Sequence, residues 1–169
     1  MFKYLSTLVF LLLFIGCSSH FSKKTREFSL EKKYAIGSFW NYTEASMAGL
    51  KAASIVEGVL SKNKVIVHSL IDGDEETSLS KNKKELLNNQ LKKAKSLGAD
   101  YFITGEVQEW RYKIGIDGEP VVSYSIKIID LNNKESIFSG IGAKSAWGHK
   151  SIGIVAQEIA DELLPKFIN

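Results

Sequence analysis

The pattern of apolar residues predicts alternating strands and helices in the first part of the chain beyond residue 33. Residues 34–39, 64–68 and 101–110 form short apolar runs that are typical of strands. Between them, apolar residues recur at helical spacing over residues 44–60 and 80–97. The side-chain oxygen of Thr43 or of Asn41 is expected to cap the first helix, and Gly98 to end the second. This alternation predicts βαβ units.

The pattern changes after residue 120. Four apolar residues alternate with serine and lysine, which predicts a strand with one buried face: Val122, Tyr124, Ile126 and Ile128. An asparagine-containing turn at residues 130–135 leads into a second strand at 136–144, and a helical stripe runs from Ile152 to Leu163. The resulting order, β-α-β-α-β-β-β-α, predicts an α/β sandwich with helices packed on a mixed sheet.

Composition supports a globular core and excludes several classes of protein. The chain has 169 residues, 44% of them hydrophobic and 11% aromatic, which is unlike a disordered chain. A formal net charge of +3 without a long basic run argues against nucleic acid as a partner. The single cysteine excludes an internal disulfide framework and a cysteine-based zinc site.

That cysteine, Cys17, stands at the end of a secretion signal. Lys3 precedes an apolar run at residues 8–15, too short for the roughly 20 residues that span a bilayer. The run ends in Gly16-Cys17, which resembles a bacterial lipobox with Phe14 where leucine is usual. The sequence therefore predicts lipidation of Cys17; the alternatives are an ordinary signal peptide and a buried helix with a chance cysteine.

The predicted organisation is a lipoprotein signal peptide at residues 1–16, a lipidated cysteine with a short tether at 17–33, and one α/β domain at 34–169. No aspartate follows Cys17, which by the lipoprotein sorting pattern favours the outer membrane. The acidic loop at residues 71–80 lacks the ligand spacing of a calcium site and is expected to be solvated.

Sequence motifs of catalysis are absent from the chain. It contains no phosphate-binding glycine loop, no nucleophile elbow and no zinc-binding helix motif. Asp117 and Glu119 are one residue apart in a predicted turn, where two carboxylates rarely face each other across a substrate. We therefore expect no enzyme activity and no cofactor or metal.

Residues 109–124 contain the most distinctive motif. Trp110 and Tyr112 alternate with Arg111 and Lys113, so that one face of a strand is aromatic and the other cationic. Acidic residues then occupy the predicted turn. The alternative interpretation is an ordinary long hairpin with a charged tip.

This motif, Trp-Arg-Tyr-Lys followed by Gly-x-Asp-Gly-Glu-Pro, resembles the PelC family, outer-membrane lipoproteins of the Pel exopolysaccharide export system. The resemblance extends over residues 34–166, including the segments at 39–44 and 145–147, and to the lipobox. Its more general part is shared with curli-secretion lipoproteins and with activator lipoproteins of related fold.

The resemblance implies a ring of twelve identical subunits beneath the outer membrane, a homo-oligomer. It also implies a PelB-like partner, an outer-membrane β-barrel protein with helical repeats, and a cationic amino-sugar polysaccharide as cargo. Asp117 and Glu119 are then expected to face the lumen, with Asp130 as a further candidate, because negatively charged walls concentrate a cation.

We expect exposed aromatic and cationic residues to make two further contacts, one with lipid and one between subunits. Trp147 lies in a predicted loop, and an indole prefers the membrane–water boundary, so we expect it to contact outer-membrane lipid. The alternative is a core tryptophan at the start of the last helix. Arg111 and Tyr112 are predicted at the subunit interface, where both residue types are common anchors, or in pairs within one subunit.

Two other functions are compatible with the predicted fold. An activator of a peptidoglycan synthase is the main alternative, although residues 18–33 are a short tether for crossing the periplasm. A curli-type secretion channel would require long amphipathic hairpins, and the sequence has no such pair.

Overall fold

The structure is a computed structural model that describes residues 19–23, 27–73, 83–114, 118–147 and 149–168. These residues form nine strands and three helices. In chain order they are β1 (Ser19–Lys23), β2 (Glu27–Ser29), β3 (Tyr34–Gly37), β4 (Trp40–Asn41), α1 (Ala48–Lys62), β5 (Val67–Leu70), α2 (Lys83–Ser96), β6 (Tyr101–Tyr112), β7 (Pro120–Asp130), β8 (Ser136–Ser145), α3 (Ile152–Leu163) and β9 (Lys166–Ile168).

Seven of the strands form one mixed sheet. Its order is β1-β8-β7-β6-β3-β5, and β4 pairs with β6 beyond the end of β3. The pairs β3–β5, β3–β6 and β4–β6 are parallel, whereas β6, β7, β8 and β1 form an antiparallel meander. The prediction of an α/β fold with helices on a mixed sheet is confirmed.

Helices cover both faces of this sheet. On one face, α1 and α3 pack together over the main core, in which Ala52, Ala53 and Ile159 are fully buried. On the other face, α2 buries Leu91 and Ala94 beside β3, β5 and β6 in a second, smaller cluster. The domain therefore has three layers.

Tyr124 joins the sheet to α3. Its side chain is fully buried, and its hydroxyl donates a hydrogen bond to the carbonyl oxygen of Ala156 at 2.6 Å. Burial raises the pKa of this phenol because the low-polarity surroundings disfavour the charged form. The neutral hydroxyl thus fixes the distance between β7 and α3.

The first helix begins later than the sequence predicts. Thr43 donates its N–H to the side chain of Asn41, and the Thr43 hydroxyl accepts from Ala45, so both side chains stabilise a turn. The prediction that one of them caps the helix is wrong, because α1 begins at Ala48 after Met47 in a left-handed conformation (φ 61°). Gly98, with φ 77°, does follow the end of α2 as predicted.

The predicted tether is also corrected. Within residues 17–33, β1 pairs with β8 and β2 pairs with β9, and Phe28 is 4% exposed in the main core. These residues belong to the folded domain, which therefore begins before residue 34. Cys17 lies outside the described residues, as does most of the acidic loop.

Replacing either of two glycines in α1 by alanine should change the free energy of unfolding, in opposite directions at the two positions. A Cβ at Gly49 would lie 2.0 Å from the carbonyl oxygen of Phe39, whereas a Cβ at Gly58 would have no neighbour within 4 Å. Gly49→Ala should lower the free energy of unfolding by about 3 kcal/mol through this backbone clash. Gly58→Ala should raise it by about 0.5–1 kcal/mol through helix propensity. Urea denaturation of both variants measures the effects, and equal changes would contradict the packing of α1.

Candidate functional site

The hairpin of β6 and β7 contains the motif singled out by the sequence. Its antiparallel register runs from the pair Tyr101 and Asp130 to the pair Tyr112 and Pro120. Beyond that last pair, the N–H of Lys113 donates to the carbonyl oxygen of Glu119 at 2.7 Å. The ladder therefore continues into the tip and holds both residues at one end of the sheet.

A β-bulge at Gln108 decides which side chains of β6 face the core. The register shifts between Val107 and Glu109, and both Val107 and Trp110 are buried in the main core. With strict alternation, Val107 and Trp110 would face opposite sides, so the extra residue restores the core position of Trp110. Arg111 consequently points to the other face.

The charged residues of the hairpin form pairs inside the subunit. The Nζ atom of Lys113 lies 2.7 Å from a carboxylate oxygen of Glu119, and Arg111 lies 3.1 Å from Glu109. Gly118, with φ 51°, makes the backbone turn beside Glu119. The contact of Arg111 with Glu109 agrees with the prediction of a pair within one subunit; the subunit-interface prediction stays open.

Asp117 lies outside the described residues, but the charge of residues 109–119 follows from the sequence. Three carboxylates stand against one arginine and one lysine, which gives the segment a formal charge of −1. Asp130 lies at the opposite end of β7, ten residues from Pro120 and hence about 33 Å away along the strand. Asp130 therefore does not share the hairpin tip with Glu119.

Trp147 and Tyr112 lie at the same end of the domain as this tip. The N–H of Ala146 donates to the carbonyl oxygen of Pro120 at 3.1 Å, which places Trp147 beside the start of β7. The hydroxyl of Tyr112 accepts from the N–H of Ile152, the first residue of α3, at 3.3 Å. Trp147 is 46% exposed and Tyr112 is 51% exposed. The structure thus gives Trp147 an exposed position rather than a core position.

A carboxylate on α3 holds both ends of the segment that carries Trp147. Glu158 lies 2.6 Å from Lys144 at the end of β8 and 2.6 Å from Lys150 beyond Trp147. Hydrogen bonds from Lys144 and Lys150 hold the pKa of Glu158 below its ordinary value, because they favour its charged form. No sequence motif indicates this cluster, since its members come from β8, from α3 and from the loop between them.

The N-terminal strand reaches the same end. In β1, Ser19 pairs with Lys144, and the strand then runs away from this end to Lys23, opposite Gly140.

Among the described residues, no helix has the length and apolar character needed to cross a membrane. The same part of the chain holds no group of three metal-ligating side chains.

These features define a three-layer α/β domain with a charged hairpin, two exposed aromatic side chains and the first strand meeting at one end. Its fold is similar to that of the PelC dodecamer from Paraburkholderia phytofirmans, with a TM-score of 0.72 and 29% identity over 87% of this chain and 95% of that chain. A second structure of the PelC dodecamer, of a point variant, gives a TM-score of 0.70 and 28% identity over 87% and 96%. The chain is therefore PelC-like, as the sequence motif predicts.

A more distant likeness shows the fold alone. Lipoprotein GNA1162 from Neisseria meningitidis aligns with a TM-score of 0.54 and 14% identity over 78% of this chain and 96% of that chain. No protein-family model matches the chain, and no curated protein matches it.

The Glu158 cluster predicts a pH-dependent contribution to stability. Glu158→Gln should lower the free energy of unfolding by about 1 kcal/mol at pH 7, because both ion pairs lose their anion. Since the folded-state pKa is lowered, this contribution is present above the ordinary value of 4.5 and is lost as pH falls through the lowered pKa. Urea denaturation between pH 3 and 7 measures it.

The matched control is Glu31→Gln, because Glu31 is exposed and its carboxylate makes no ion pair with the described residues. The free energy of unfolding of that variant should differ little from that of the original chain at pH 3 and at pH 7. A Glu158→Gln effect that persisted unchanged at pH 3 would contradict an electrostatic role.

Proposed function

We propose that this chain is a non-enzymatic outer-membrane lipoprotein that assembles into a ring and guides a cationic exopolysaccharide to a PelB-like β-barrel exporter. The observation that carries the proposal is the likeness to the PelC dodecamer, which covers 87% of this chain and nearly all of that one. The relative forms a dodecamer, and we infer a homo-oligomer of the same kind for this chain.

The end of the domain that carries Trp147 is proposed to face the membrane. Cys17 precedes Ser19 by two residues, an extended reach of about 7 Å, and Ser19 pairs with Lys144 near this end. A lipid on Cys17 would therefore enter the bilayer beside Trp147, whose indole suits the membrane–water boundary. The tether needed for this arrangement is very short.

The hairpin tip is proposed to supply the charge of the ring lumen. Glu119 is paired with Lys113, and Arg111 with Glu109, so each subunit contributes a net charge of only −1 from residues 109–119. Repetition around an axis turns this into a negative band, which raises the local concentration of a cationic polymer. Asp117 and Glu119 are the proposed lumen residues.

The ion pairs at the tip also suit a passing polymer. Exposed pairs of this kind contribute only about 0–1 kcal/mol, so an ammonium group of the polymer can exchange with Lys113 at Glu119. Weak, replaceable contacts allow the chain to move along the lumen without being retained.

Arg111 and Tyr112 are proposed as part of the subunit contact. The ring of Tyr112 is half exposed although its hydroxyl is bound, and the side chain of Arg111 is largely exposed beside Glu109. Arginine and tyrosine with accessible surface are frequent anchors of interfaces.

Reversal of charge at the hairpin tip tests the proposal that Asp117 and Glu119 face the ring lumen. Asp117→Lys with Glu119→Lys changes the formal charge of residues 109–119 from −1 to +3 in each subunit. We expect at least a tenfold loss of exopolysaccharide export from cells, because a positive lumen repels the cationic polymer. The mass of the assembly in detergent should be unchanged.

Lys113→Gln is the matched control, since it removes the intramolecular partner of Glu119 and makes the tip more negative. Export should be retained in this variant. Normal export by the doubly reversed variant, with its ring intact, would remove the lumen assignment.

Fluorescence quenching tests the membrane contact. With the acylated chain in vesicles, lipids brominated on their acyl chains should quench the emission of Trp147. Trp110 is 6% exposed in the core and should be quenched little. Trp147→Phe should abolish most of the quenching, and quenching that survived this change would contradict membrane contact at this position.

A further inference from the structure

A cleft lined by lysines and by apolar side chains lies on the face of the sheet that carries α2, away from the hairpin tip. It has a volume of about 350 Å³, enough for a small ligand of one sugar unit. Three lysines and one glutamate line it, which gives a formal charge of +2: Lys83, Lys127, Lys134 and Glu106. The cleft therefore favours an anion.

The glutamate in the cleft is already neutralised. The Nζ atom of Lys83 lies 2.8 Å from a carboxylate oxygen of Glu106 and contacts the hydroxyl of Tyr42. The same ammonium lies 5.2 Å from the ring centroid of Trp40, in cation–π geometry. With its charge paired in this way, Glu106 does not oppose the entry of an anion.

A buried hydroxyl in the cleft has no partner. Thr104 is 6% exposed, and its Oγ1 atom makes no hydrogen bond with any described residue. Thr104 and Lys127 are direct partners across β6 and β7, so their Cβ atoms lie about 5 Å apart on the same face. The Oγ1 atom is almost fully covered, so it reaches a ligand oxygen in the cleft only after the side chain rotates. A buried polar group without a partner is unfavourable, which favours that rotation when a ligand is present.

The two other lysines are available for a ligand. Within the described ranges, Lys127 and Lys134 form no ion pair. The nearby carboxylates bind their own turn instead: Asp130 accepts from the N–H of Asn132 and Glu135 from the side chain of Asn133. Lys134 also adopts a left-handed φ of 62°, a conformation that non-glycine residues rarely adopt.

We propose that this cleft binds a compact phosphate-bearing ligand. The ammonium groups of Lys127 and Lys134 supply point charges for phosphate oxygens, and the Thr104 hydroxyl supplies a hydrogen bond. Lys127 lies six residues along β7 from Val121, about 20 Å from the end that carries Trp147. A soluble phosphate monoester fits this position, whereas a lipid headgroup would be bound at the other end.

Titration with glucose 6-phosphate tests the proposal. Isothermal titration calorimetry should show saturable binding of glucose 6-phosphate and of inorganic phosphate, and no binding of glucose. Lys127→Gln with Lys134→Gln should weaken the binding about tenfold or more, and Thr104→Val several-fold. Amide chemical shifts of Thr104 and Lys127 should move on addition of the ligand.

Lys64→Gln is the matched control, because Lys64 is exposed and shares the left-handed φ of 62° but lies between α1 and β5, away from the cleft. It should bind glucose 6-phosphate normally. Absence of saturable binding, an equal loss in the Lys64 variant, or binding confined to vesicles of anionic phospholipid would each overturn the proposal. The titration needs no ring, so its outcome is independent of the proposed export function.

Discussion

The antiparallel ladder between β6 and β7 determines where the distinctive residues of this chain lie. Its register carries Tyr112 and Glu119 to one end of the sheet, where β8, α3 and the start of β1 also meet. The bulge at Gln108 is essential to this arrangement because it returns Trp110 to the core and directs Arg111 outward. A different register would exchange the buried and the exposed faces of the hairpin.

Pairing of charges inside the subunit is the second constraint, because it limits the electrostatic field of a single copy. At the tip, most charges cancel inside the subunit, and the remainder is small. A single copy therefore has a weak field, and only an assembly that repeats the tip around an axis produces a strong one. The basic cleft beside α2 lies about 20 Å along β7 from this end, farther than the Debye length at physiological salt, so the two charged regions are largely screened from each other.

The order of the long elements could be predicted from the sequence because apolar spacing determines which residues face the core, as in Val122, Tyr124 and Ile126. The short strands β1, β2 and β9 could not, because three to five residues without strong alternation form strands only when a partner is present. The motif at residues 109–124 indicated the candidate site. The Glu158 cluster and the unpaired Thr104 hydroxyl depend on how separate segments pack in three dimensions, which no local pattern reports.

The proposed function requires the lipidated chain to act as one subunit of a ring. Native mass spectrometry of the full-length acylated protein, released from the membrane in mild detergent, measures this most directly. We expect a discrete assembly of many copies, twelve if it follows the PelC dodecamer. A mass equal to one acylated chain, at concentrations where the protein is folded, would contradict it.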